Sequence, residues 1–330
     1  MEKRKLGKSG VQVSPMGLGC WAIGGPFEFD GRPAGWGEVD DAESVRAIRR
    51  ALDLGVTFFD TADVYGCGHS ERVLGEALSE RRDEAVVATK FGLLFDEGTR
   101  TGGGADTSPA YIRSACEASL RRLETDRIDL YQLHGGAEDA TSAEGVVEVL
   151  EELVGEGKIR SYGTSVDAPE VVRVFAKGEH CVSVQTQLNV FGADEEVIRI
   201  CEQEGLAVVA RTPLAMGLLT GKYAPGKNVP PDDDVRRDTP HWDYFDDATM
   251  EDWTEKVAAI REVLTEDGRT LAQGALAWIW SYSALTIPIP GFKSVSQVEQ
   301  NAGAMRFGPL SGEAMAAVEA ALGRAVGTAR

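Results

Sequence analysis

One feature constrains the fold of this chain more than any other: an alternation of strand-like and helix-like segments that repeats eight times. Apolar runs rich in β-branched residues occur near 13–19 and at 56–60, 85–89, 128–133, 159–163, 182–186, 206–210 and 284–289. Between them lie stretches with helical spacing at 40–55, 70–80, 108–124, 142–155, 168–177, 194–204 and 270–280. The first of these has Val45, Ile48 and Leu52 on one face and opens with acids that can cap it. Another opens with Ser108 as cap and Pro109 in the first turn, a favoured helix start. Strands that alternate with helices imply a parallel sheet covered by helices. Eight such units in one chain of 330 residues fit a closed (β/α)₈ barrel, the TIM barrel, better than an open sheet. The expectation is an α/β fold with a single domain over residues 1–330.

One segment breaks the rhythm. Residues 222–253, after the seventh strand, are dense in Pro, Gly and Asp, and they carry Trp242, Tyr244, Phe245 and Trp253. Loops of this length are commonly functional, and the aromatics suggest a loop that packs over a site as a lid. The net charge of −19, from 34 basic and 53 acidic residues, speaks against binding to nucleic acid or an anionic membrane. No apolar run approaches the length of a membrane span, and the start, MEKRKLGKSG, lacks the apolar core of a signal peptide. The five cysteines are odd in number and show no CxxC spacing, which suggests reduced thiols in the cytoplasm.

Two nucleotide motifs fail on spacing. GLGCWAIGG (17–25) has its third glycine at 24 instead of 22, so it is not a dinucleotide fingerprint. GLLTGKY (217–223) has three residues between its glycines and Tyr223 where a P-loop needs Ser or Thr. The informative residues stand elsewhere. Barrel enzymes build their sites at the C-terminal ends of the strands. There the second strand ends in Asp60, the third in Lys90 and the fourth in His134, and Tyr65 follows in the loop after the second. A tyrosine near a lysine cation has its pKa pulled down from about 10. An aspartate can hold that lysine, and a histidine can bond the oxygen of a substrate. The quartet therefore suits a general acid that delivers a proton to an oxygen as negative charge develops on it, as carbonyl reduction requires.

The segments GVTFFDTADVYG, ATKFG and YQLHGG resemble those that carry Asp, Tyr, Lys and His in the aldo-keto reductases. KLGKSGVQVSPMGLGCWAIGG, PLAMGLLTGKY and IPIPGFKSVSQVEQNAGA are similar to bacterial members, and the match spans nearly the whole chain in order. The resemblance implies a (β/α)₈ barrel that binds NADPH, in preference to NADH, and transfers hydride to an aldehyde or ketone. It implies the tetrad Asp60, Tyr65, Lys90 and His134, with Tyr65 as the acid. It implies that Ser165 and Gln185 hold the nicotinamide amide and that Leu214, Gly217 and Leu219 lie along the pyrophosphate. Gly291, Lys293 and Ser294 would meet phosphate, with Lys293 near a 2′-phosphate, and Gln297 and Asn301 would face the adenine end. The chain departs from the family pattern in three places: Val166 where many members have asparagine, Arg211 where an aromatic ring stacks on the nicotinamide in the better-known branches, and Gln297 where some have arginine. Arg211 could stack through its planar guanidinium or bind a phosphate.

Trp21, Phe27 and Trp242 are the candidates for the substrate pocket, with Phe29 and Trp36 as further lid aromatics. Such walls suit aryl carbonyls and sugar faces alike. The expected partner is a small carbonyl compound, and the sequence does not set an oligomeric state. An alternative on the same fold is a regulatory protein that retains cofactor, as in the β-subunits of potassium channels. All four catalytic positions are filled here and no extra N-terminal tail is visible, which favours the enzyme. A metal hydrolase ranks last, because only His134 and Asp60 offer metal ligands at strand ends.

Overall fold

A computed structural model describes residues 1–324 apart from 138, 224–226, 232, 238 and 240. Eight parallel strands form the barrel: β1 (Gly17–Gly19), β2 (Phe58–Asp60), β3 (Val86–Phe91), β4 (Leu130–Leu133), β5 (Tyr162–Thr164), β6 (Cys181–Asn189), β7 (Ala207–Arg211) and β8 (Thr286–Pro288). They pair in chain order, and a bridge between Gly19 and Gly291 joins the last strand to the first. The helices are α1 (Asp41–Asp53), α2 (His69–Leu78), α3 (Pro109–Arg122), α4 (Ala140–Gly155), α5 (Pro169–Ala176), α6 (Glu195–Glu204), α7 (Met250–Leu264), α8 (Leu271–Tyr282), α9 (Val295–Gly303) and α10 (Gly312–Ala321). Their starts follow the expected chemistry: Asp40 caps α1 by accepting from the Glu43 amide, and Ser108 caps α3 by accepting from Tyr111. No helix among the described residues is long and apolar enough to cross a membrane.

Side chains alternate along each strand, and this alternation positions the site. The inward positions near the strand starts form an apolar plug of Phe58, Ala88, Leu130, Val182, Ala207, Val209 and Ile287. Leu6 and Val13, from the short N-terminal hairpin, complete it. Two residues further along, the same inward stride reaches Asp60, Lys90, Gln132 and Arg211. The outward residues, among them Phe59, Val87, Tyr131 and Val208, pack in a separate core against the helices.

Two expectations need correction. The long loop after β7 ends before residue 250, because Met250–Leu264 is helical and its first turn overlaps the stretch read as loop. The segment that carries Phe27 and Phe29 is not a free lid. Glu28–Phe29 and Arg32–Pro33 join Leu93–Asp96 and Thr101–Ala105 in a separate four-stranded sheet. Part of the proposed lid, residues 224–226, 232, 238 and 240, lies outside the described residues.

Candidate active site

The four tetrad residues meet at the C-terminal mouth of the barrel. Lys90 Nζ donates to Asp60 Oδ1 at 2.6 Å, to the Thr61 carbonyl at 2.7 Å and to the Tyr65 hydroxyl at 3.2 Å. An ammonium has three protons, and these three acceptors use them all. The Tyr65 oxygen therefore accepts from Lys90, and its own proton is left to point elsewhere. Lys90 and Asp60 are buried, whereas Tyr65 and His134 are partly exposed and line a cavity of about 1020 Å³. The Tyr65 and His134 rings meet edge to face with centroids 5.7 Å apart.

The loop that presents Tyr65 is tightly specified. Gly66 follows it at φ 60°, and a Cβ there would sit 1.9 Å from the Gly24 carbonyl oxygen, so only glycine lets the two loops touch. Trp21 then stacks on the Tyr65 ring at 5.8 Å, with its Nε1 donating to Ala34 O at 2.9 Å.

The electrostatics keep the Tyr65 phenol protonated. Burial pushes the Tyr65 phenol above its ordinary value of 10.0; Lys90 pulls it down, but not enough to reverse the rise. This corrects the expectation of a net lowering: desolvation of the phenolate outweighs the cation. Burial also works against the Lys90 cation, yet Asp60 and Tyr65 outweigh it and hold its pKa above 10.5. For His134, burial and then the nearby Lys90 and Arg211 lower the pKa well below 6.5, so the imidazole is neutral at neutral pH.

The other anticipated residues divide into two groups. Ser165, Gln185, Arg211, Leu214, Gly217, Gly291, Lys293, Gln297 and Asn301 line the same cavity, as do Trp21, Phe27 and Trp242. Leu219 and Ser294 do not: Leu219 is fully buried, and Ser294 caps α9 by accepting from the Gln297 amide. Lys293, expected to be free for phosphate, donates through Nζ to the carbonyls of Trp36 (2.9 Å) and Glu38 (2.7 Å). Gln185 donates to Asp60 Oδ2 at 2.7 Å, and Arg211 pairs with Asp167.

Several residues escaped the sequence reading. Gln132 donates to Asp60 Oδ2 at 3.0 Å. It stands two residues before His134 on the same inward stride, a signal that was available in YQLH. Asp167 and Gln187 also line the cavity, the latter accepting from Trp242 Nε1 at 2.9 Å. The turn after β7 holds Thr212, Ala215 and Met216 at φ of 50°, 47° and 54°. Three left-handed non-glycine residues in one short turn, one of them β-branched, are a costly arrangement that clusters at functional sites. Four cavity-lining residues also carry a buried polar atom with no partner: Trp36 Nε1, His134 Nδ1, Asp167 Oδ1 and Thr212 Oγ1. Such atoms need a ligand or solvent to satisfy them.

Comparison with known proteins fits this architecture. The sequence profile of the Aldo/keto reductase family matches residues 15–322. The chain is 33% identical over 320 residues to the uncharacterized oxidoreductase YqkF of Bacillus subtilis (strain 168), covering 97% of this chain and 96% of that protein. Among solved structures, the glycerol dehydrogenase AKR11B4 from Gluconobacter oxydans superposes with a TM-score of 0.83 at 32% identity, over 97% of this chain and 95% of that one. An aldo/keto reductase from Klebsiella pneumoniae, solved in complex with NADP and acetate, gives a TM-score of 0.72 at 27% identity, over 98% of this chain and 97% of that one. With barrel, strand order and family profile in agreement over nearly its full length, the chain belongs to the aldo/keto reductase family of NAD(P)H-dependent oxidoreductases.

Proposed function

We propose that this protein reduces an aldehyde or ketone to the alcohol with NADPH, Tyr65 being the general acid. The observation that carries this reading is the chain Asp60–Lys90–Tyr65, which spends every Lys90 proton and leaves the Tyr65 proton free at the wall of the cavity. The cavity suits an extended anionic dinucleotide: Arg211, Lys222, Arg236 and Lys293 line it, and the unpartnered atoms of His134, Asp167 and Thr212 await polar groups. When bound, NADPH supplies the hydride. Tyr65 then gives its proton to the carbonyl oxygen, Lys90 stabilises the phenolate left behind, and neutral His134 orients that oxygen through one N–H.

On this reading Ser165 and Gln185 take the carboxamide, and the turn carrying Leu214 and Gly217 follows the pyrophosphate. Lys293 exchanges its two carbonyl partners for the 2′-phosphate, which is the basis for NADPH over NADH. The Trp21, Phe27, Trp36 and Trp242 walls favour a carbonyl compound with a flat apolar face, an aryl aldehyde or the face of a sugar. The five cysteines are all buried thiols, as suits a cytoplasmic protein.

The test is loss of reduced nicotinamide absorbance with NADPH and 4-nitrobenzaldehyde, in wild type and Tyr65→Phe. The expected result is turnover that falls by about 10²- to 10⁴-fold in the variant, with NADPH affinity unchanged. Equal turnover by both proteins would remove Tyr65 from the role.

A further inference from the structure

Of the cations that line the cavity, Arg211 is the one built into a barrel strand. It ends β7, in register with Gln187 of β6. Gln185, two residues earlier on β6 and on the same face, donates to Asp60 at 2.7 Å. Arg211 therefore stands about one layer above the support of the acid, in the cavity that Tyr65 and His134 share. Asp167 holds it there: the guanidinium donates to Oδ2, and both side chains are partly buried. The charge of Arg211 reaches the reacting groups. For His134, burial, then Lys90, then Arg211 lower the pKa; for Tyr65, burial raises it, and Arg211 is among the charges that pull the other way.

We infer that Arg211 makes the site discriminate between the two oxidation states of the cofactor, favouring NADPH over NADP⁺. The inference rests on the proposed reaction. There the carbonyl carbon takes a hydride, with its two electrons, from the nicotinamide, and Tyr65 gives its proton to the carbonyl oxygen. A neutral ring becomes a cation, and the phenol becomes a phenolate. A reactive pose holds the ring against the carbonyl carbon while the oxygen is within reach of Tyr65 and His134. The ring therefore gains its charge beside groups that already feel Arg211. While the phenolate lasts, it balances the ring. Tyr65, protonated at neutral pH, then takes a proton back from solvent, and the ring is left facing a fixed guanidinium. Asp167 offsets part of that charge, but the charges that act on His134 are those of Lys90 and Arg211. Like charges in a partly buried site repel by enough to change a binding constant roughly tenfold. Arg211 thus costs little during hydride transfer and speeds the loss of NADP⁺ afterwards.

The test is the dissociation constants of NADPH and NADP⁺, measured separately at neutral pH by quenching of tryptophan fluorescence. Wild type should bind NADPH about tenfold more tightly than NADP⁺. Equal affinities overturn the inference, and that reading needs no variant. In Arg211→Met the two affinities should come within about twofold of each other. A lost contact with the parts common to both forms changes both constants alike and leaves their ratio untouched, so the ratio isolates the charge. Arg211→Lys keeps the cation and should keep the wild-type ratio within about threefold. A ratio unchanged in Arg211→Met, or lost equally in Arg211→Lys, overturns the inference, because the residue then acts through shape and not charge. If wild type binds neither form, the proposed function fails. If it binds both and reduces 4-nitrobenzaldehyde while Arg211→Met keeps the ratio, the reaction stands and this inference alone falls.

Discussion

At the scale of single residues, the loop that presents Tyr65 also carries Asp63, a carboxyl outside the proposed proton delivery. Asp63 is buried. Its carbonyl accepts from the Gly68 amide at 2.7 Å, and its Oδ1 accepts from the Val64 amide at the same distance. Burial and then the charge of Glu71 raise its pKa well above 3.8, and Arg122, the Val64 amide and Lys90 do not restore it. Arg122 is committed to Glu71, which it meets at 2.6 Å. A carboxyl with a raised native pKa holds a proton that the unfolded chain has already lost. Its contribution to stability is complete below about pH 3.8 and is lost as pH rises through the raised value. Asp63→Asn keeps the Oδ1 acceptor and cannot ionise. Its melting temperature should therefore exceed that of wild type at about pH 8, with the gap closing toward about pH 4 and an upper bound near 1.4 kcal/mol per pH unit. A variant less stable than wild type at the higher pH would mean that Asp63 is ionised and held by Arg122. None of this was legible in DTADVYG. The motif marks which residues are polar, but Glu71 and Arg122 reach Asp63 only through the packing of α2 against α3. Asp60, Lys90 and His134 were legible, because a polar residue ending an apolar strand is visible without any fold. Gln132 was passed over because only the last polar residue of each strand was read.

At the scale of elements, the strands and most helices could be read from periodicity, since each carries its own apolar stride. Pairings set by distant residues could not. The strand Thr101–Ala105 is TGGGA, which has little intrinsic preference for a strand, and it exists because it pairs with Glu28–Phe29 and Leu93–Asp96. Helix α7 is absent from the sequence expectation altogether: the acidic, proline-rich stretch before it hid it, although Val257, Ile260 and Leu264 keep helical spacing. The same loop reaches back across the mouth. Asp234 bridges Trp36, Val235 N donates to Gly35 O at 2.9 Å, and the Arg236 guanidinium lies 4.7 Å from the centre of the Trp36 ring. Trp242 sits further along, bonded to Gln187 and 6.4 Å from Trp21. We assign Trp242 to the substrate side of the cavity. Trp242→Ala should raise KM for an aryl aldehyde about tenfold through the lost ring face, with NADPH affinity within about twofold. A matching loss of NADPH affinity would place the tryptophan on the cofactor instead.

At the scale of the whole molecule, the barrel separates what stabilises from what reacts. Chemistry gathers at the C-terminal strand ends, and the opposite end is sealed by the N-terminal hairpin. Leu6 is 1% exposed and packs with Phe58, Val182, Ala207 and Ile287, residues at the starts of their strands or close to them. By itself the hairpin is a two-stranded ladder of two residue pairs, too small to be stable alone; Leu6 and Val13 hold it from the interior, and Arg4 and Lys8 donate to the carbonyls of Thr286 and Gly178. Leu6 is therefore one of the apolar anchors that make the hairpin part of the barrel. Leu6→Ala should cost about 2–5 kcal/mol in urea unfolding, from lost transfer energy and the cavity left in the interior. Because Tyr65 and its partners lie at the other end, kcat measured well below the melting temperature should not change. A fall in kcat with the fold intact would show that the plug sets the spacing of the strand ends, and that Asp60, Lys90 and Tyr65 depend on packing a full barrel length away.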